Sequence, residues 1–98
     1  MSIEENIETI VATFQKGREL AESGISINEL ITELNKFEIR YSSVAFEGAS
    51  MGVALTSDFE NWKAYAKASE KHATQIHIGL GWAIAEKQLD LASTLSEI

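Results

Sequence analysis

The chain has 98 residues, 45% of them apolar and 23% charged, the profile of one soluble globular domain with a core of its own. It contains no cysteine, which excludes disulfides, thiolate metal sites and thiol nucleophiles. A formal net charge of −7 and a pI near 4.7 argue against nucleic acid and anionic membranes, both of which select basic surfaces.

The first residues, MSIEENIE, are acidic, unlike a secretory signal or an Arg-rich transit peptide. Neither of the two apolar stretches, VAFEGASMGVAL at 44–55 and IHIGLGWAIA at 76–85, approaches the ~20 residues that span a bilayer, so a cytoplasmic protein is expected. The chain has no proline and no strand-like alternation. Helix punctuation is frequent instead. The pattern Ser-x-x-Glu occurs at Ser2 to Glu5, Ser26 to Glu29 and Ser57 to Glu60, each a potential capping box followed by helical periodicity.

These signals predict an all-α bundle of four to five helices in one domain, over about 3–22, 27–41, 43–56, 58–68 and 70–91. In the first helix Ile3, Ile7, Ile10, Phe14, Gly17 and Ala21 form an apolar stripe that Val11 widens, opposite an acidic face. Gly24 is placed as its left-handed C′ residue. Ile27, Leu30, Ile31, Leu34, Phe37 and Tyr41 form the stripe of the second helix.

The third segment, VAFEGASMGVAL, is the most distinctive. At about 100° per residue, Ala45, Gly48, Ala49, Gly52 and Thr56 make one face of small side chains. Glycine inside a helix costs about 1 kcal/mol relative to alanine, so Gly48 and Gly52 call for a close helix crossing. The final helix has two apolar faces, Ile76/Leu80/Ala83/Ile84 and Ile78/Trp82/Ala85/Leu89, the pattern of a central helix. The third and final helices are therefore expected to cross closely, with Gly48, Gly52, Gly79, Gly81 and Trp82 as packing or interaction residues.

Candidate chemistry is sparse. Glu47 is a lone carboxylate in an apolar run, but it shares a face with Ser43, Ser50 and Ala54 opposite the glycines, which reads as a solvent edge. His77 lies beside Gly81, which clears space one turn on, so His77 is a candidate pocket-lining residue. His72 and His77 are about 140° apart on a wheel, a poor chelating pair, so no metal site is expected, and no cofactor motif occurs. There is no G-x-S-x-G elbow, and Gly79-Leu80-Gly81 falls inside a helix instead of after a strand. No catalytic constellation emerges; Glu47 and His77 are the only candidates.

One resemblance stands out. Arg40-Tyr41, the run Ser43-Val-Ala-Phe-Glu-Gly-Ala-Ser-Met, and His77-Ile-Gly-Leu-Gly-Trp-Ala resemble a bacterial family of unknown function found beside enediyne and other polyketide biosynthesis genes. Its motifs are like (F/Y)EGA-x-M and H-x-G-x-G-W-A, and the similarity covers about residues 40–87 of a chain shorter than typical members. The resemblance implies a biosynthetic setting and marks Glu47, Gly48, His77, Gly79, Gly81 and Trp82; it supplies no reaction. The expectation is a non-catalytic accessory or interaction protein working through apolar helical surfaces, with a protein partner or as a homodimer. The alternative is a binder or enzyme of an apolar small molecule, with His77, Gly81, Trp82 and Glu47 at its pocket.

Overall fold

The computed structural model describes the backbone of residues 3–96 and the side chains of residues 6–88. Five helices, α1 (Ile3–Glu22), α2 (Ile27–Leu34), α3 (Ser42–Thr56), α4 (Phe59–Ala68) and α5 (Ala73–Ser96), follow one another, with a single 3-10 turn, Glu70–His72, leading into α5. No strand occurs among the described residues, and the fold is all-α.

Each boundary has a local cause. Gly24 ends α1 with φ +83°, the left-handed conformation that glycine adopts without steric cost. The hydroxyl of Ser26 accepts from Glu29 N at 3.2 Å and starts α2. At the next expected box the cap is one residue later. Asp58 Oδ1 accepts from Asn61 N at 2.8 Å, whereas Ser57 ends α3 through its N–H to Val53 O. A carboxylate satisfies the same free N–H and also complements the positive end of the helix dipole. The box at Ser2 to Glu5 lies outside the described side chains.

The second helix is shorter than its periodicity implies. It ends at Leu34, where Lys36 N and Phe37 N bond back to Glu33 O and Leu34 O. These tight i→i−3 bonds turn the chain out of the helix. Phe37 lies alongside Lys16 and Leu20 of α1, and the Tyr41 hydroxyl donates to Asn6 Oδ1 at 3.3 Å.

The central helix is α3, not the final one. Nine of its fifteen residues are buried, Ala45 and Phe46 and the whole run Gly48–Ala54. The expected crossing with α5 is present, and its small residue is Gly79: a Cβ there would strike Glu47 O and lie 2.8 Å from Ser50 Cβ. Gly48 and Gly52 serve a second crossing, against α1. A Cβ on Gly48 would collide with the carbonyl of Phe14, one on Gly52 would lie 2.8 Å from Ala21 Cβ and Arg18 O, and one on Gly17 would collide with Ala45 O. Backbone thus meets backbone on both sides of α3, and neither side has room for a methyl group.

Buried hydrogen bonds fix the remaining faces. Ser50 is fully buried; its Oγ accepts from Trp62 Nε1 at 2.9 Å and donates to Ile76 O at 2.5 Å. One hydroxyl so joins α3, α4 and α5. Tyr65 donates to Phe46 O at 2.7 Å, and burial raises its phenol pKa, keeping it protonated as a donor. The face that carries Ser50 and Ala54 is therefore core, correcting the reading of a solvent edge.

Candidate functional site

Since α1 and α5 flank α3, a trough opens between them. Val44, Glu47 and Met51 of α3 form its floor, Ile10, Val11, Phe14, Gln15 and Arg18 of α1 one wall, and Trp82 of α5 the other. Its volume is about 480 Å³. The apolar groups lining it stand open: Ile10 is 42% exposed, Val11 54% and Trp82 54%. In α5 the faces divide: Ile76 and Ala83 are buried in the core, while Ile78 and Trp82 face out. The second apolar face of the final helix is a surface rather than a second packing contact, and Leu89 lies outside the described side chains.

Arg18 stitches the trough at one end. Its Nε pairs with Glu22 Oε1 at 2.9 Å, its Nη2 reaches Glu86 Oε2 of α5 at 3.4 Å, and its Nη1 approaches Met51 Sδ at 4.0 Å. The neighbouring carboxylates, Glu22 first, raise its pKa further and keep it charged. Glu47 has a different setting. Partial burial raises its carboxyl pKa above the ordinary value, and hydrogen bonding from Trp82 works the other way. Among the described residues no cation pairs with it.

Trp82 and Glu47 thus come together, but His77 is elsewhere. His77 Nδ1 lies 2.7 Å from Ala73 O, so it carries the proton and donates to that carbonyl. The ring stands edge-on to Trp62, centroids 5.7 Å apart. A smaller recess of about 220 Å³ between α4 and α5 is lined by Phe59, Trp62 and Ile84, with Lys87 Nζ bonded to Ala54 O at 3.0 Å beside it. His77 lines neither recess. His72 stacks on Phe46 with centroids 4.2 Å apart, and burial lowers its pKa, aided by Lys71. Among the described residues no group of three or more His, Asp or Glu is placed to hold a metal ion, and no helix is long and apolar enough to cross a membrane.

Of the glycines singled out, Gly48, Gly52 and Gly79 have packing roles, whereas Gly81 is exposed and, its own stretch of helix backbone aside, no described atom lies within 4 Å of where its Cβ would stand. Its backbone freedom costs helix stability with no contact in return. Gly81→Ala should therefore raise unfolding stability by about 0.5–1 kcal/mol, measured by urea denaturation. A loss would reveal a constraint at this position that the free chain does not display.

Sequence reasoning overlooked the α1 wall, above all Arg18. The signal was present: Ile7 and Val11 extend the apolar stripe well beyond the Gly17–Ala21 line along which α1 meets α3. Comparison with curated proteins and with solved structures gives no match. A family model does match, over residues 1–97: the chain belongs to the DUF1702 family of proteins of unknown function.

Proposed function

We propose that this protein is a non-catalytic interaction module that receives an amphipathic helix in the trough between α1 and α5. The observation that carries the reading is the cluster of exposed apolar side chains at the trough, with Val11 on one wall and Trp82 on the other. Large exposed apolar groups gathered at a groove mark a binding surface, and a groove walled by two helices accepts a third as in helix-in-groove recognition. The setting we infer is bacterial polyketide-type biosynthesis, in an accessory role; it rests on the resemblance of the Glu47–Met51 and His77–Ala83 runs described above.

The test is a titration of the full chain with a neutral amphipathic helical peptide of Leu, Ala and Gln. Trp62 is buried and Trp82 is exposed, so binding should blue-shift the Trp82 contribution to fluorescence. Val11→Asp should abolish the shift while leaving the circular dichroism unchanged, because Val11 is not part of the core. No shift with the native chain sinks the reading. A second reading, an apolar small molecule in the same trough, is favoured by its volume, which lies within the usual range for ligand sites. A small apolar dye that binds in a Val11-dependent way, where the peptide does not, would select it.

A further inference from the structure

The trough is apolar in its walls, but its charges are unbalanced. Among the described residues Arg18 is its one cation, and that guanidinium is held by two carboxylates, Glu22 on its own helix and Glu86 of α5. Glu47 on the floor is then left without a cationic partner among the described residues. Arg18 of α1 is the other charged side chain lining the trough, Glu86 of α5 reaches it only through its ion pair with Arg18, and the indole of Trp82 is the group hydrogen-bonded to Glu47. Two carboxylates hold the one guanidinium and a third, Glu47, lines the same trough without a cation among the described residues, in a chain whose formal charge is −7. A second copy of the same chain would bring further negative charge to this place. An occupant with positive charge would remove the imbalance.

We infer that the occupant of the trough is a basic amphipathic helix of a partner protein, which lays apolar side chains between Val11 and Trp82 and sets a lysine or arginine against Glu47. The inference rests on the reading of the trough as a helix-docking surface and adds the chemistry of what docks. Length supports a short segment: from Ile10 to Arg18 the wall of α1 runs about 12 Å, at ~1.5 Å per residue, or roughly two turns of a helix. Geometry supports the position of the charge. Glu47 lies on the floor between the walls, so a flexible lysine stem can bury its methylenes against Met51 and Phe14 and bring its ammonium to the carboxylate.

The arrangement also separates stability from recognition. With its pKa raised in the folded chain, Glu47 favours folding in its protonated form; that contribution is present at low pH and is lost as pH rises through the folded pKa. At neutral pH the ionised group is a burden to the free chain, and it becomes useful when a cation arrives. Glu47→Gln keeps a hydrogen-bond acceptor for Trp82 and the shape of the side chain. It should leave the thermal midpoint equal or higher and weaken the basic partner.

Three peptides of one amphipathic design, with Gln, Lys or Glu at the position that meets Glu47, distinguish the possibilities. The lysine peptide should bind the native chain roughly tenfold tighter than the glutamine peptide, the effect of a charge-assisted hydrogen bond in a partly buried site. The glutamate peptide should bind more weakly than either. Glu47→Gln should erase the lysine advantage, and lowering the pH through the Glu47 titration should do the same in the native chain. Equal binding of all three peptides overturns this inference and leaves the docking reading standing. Binding of none overturns the docking reading itself. Self-association of the chain that Trp82→Ala abolishes, seen by sedimentation, would assign the trough to a second copy and also overturn the inference.

Discussion

Gly48→Ala is expected to cost about 3 kcal/mol of unfolding stability, the upper end of what overpacking usually costs. The added methyl group has no route of escape, because what it meets is the carbonyl of Phe14, not a flexible side chain. Alanine brings an intrinsic helix gain of about 1 kcal/mol, and the collision outweighs it because α1 must move off α3 as a body. Gly17→Ala, which drives a Cβ against Ala45 O from the opposite helix, should cost as much. Domains of this size are stable by only about 5–15 kcal/mol. The double variant should therefore lose a large share of that stability and unfold at a much lower urea concentration by circular dichroism. If Gly48→Ala proves as stable as the native chain, the α1–α3 crossing is looser than described, and the trough beside it would have to be redrawn.

Replacing Ser50 by alanine should cost about 3 kcal/mol, in the range for leaving a buried donor without its acceptor. The substitution is nearly neutral in volume, so cavity formation contributes little. Trp62 Nε1–H loses the only acceptor assigned to it, and Ile76 O loses its side-chain donor. No water can easily replace a hydroxyl in a fully buried position. The decisive measurement is a double-mutant cycle with Trp62→Phe, read by urea denaturation. Once the indole N–H is gone, Ser50→Ala should cost much less, giving a coupling of about 1–2 kcal/mol. Additive losses would mean that the two side chains act independently.

These two residues also mark where the sequence was legible. The all-α fold, the C-terminal end of α1 at Gly24 and the demand for a close crossing at Gly48 and Gly52 follow from local rules: capping, periodicity and the cost of glycine in a helix. What those rules do not encode is which neighbour comes close. A face of small residues is compatible with any helix, so Gly48 and Gly52 pointed to a crossing without naming α1. Ser50 was misplaced because an isolated polar residue has the same wheel position whether it faces water or a buried indole; only Trp62, twelve residues on, decides. The final helix failed for a related reason. Its two apolar faces are ambiguous between a central helix and a helix with one face in use and the other free. Glu47 and Trp82 were both singled out, and the trough brings them together, while His77 turns to Trp62 instead. Arg18 could not be placed without knowing that α1 and α5 lie on two sides of α3.

The way the walls are anchored has a consequence for cooperativity. Among the described residues α1 and α5 each pack extensively on α3 and little on one another, their named link being the ion pair of Arg18 with Glu86. Each wall is thus a separate opening unit on a shared spine, able to detach while the other stays in place. An occupant that touches both walls would tie two independent equilibria into one. Its binding energy would appear partly as suppressed fluctuation of helices that, in the free chain, are joined to each other by little more than that ion pair.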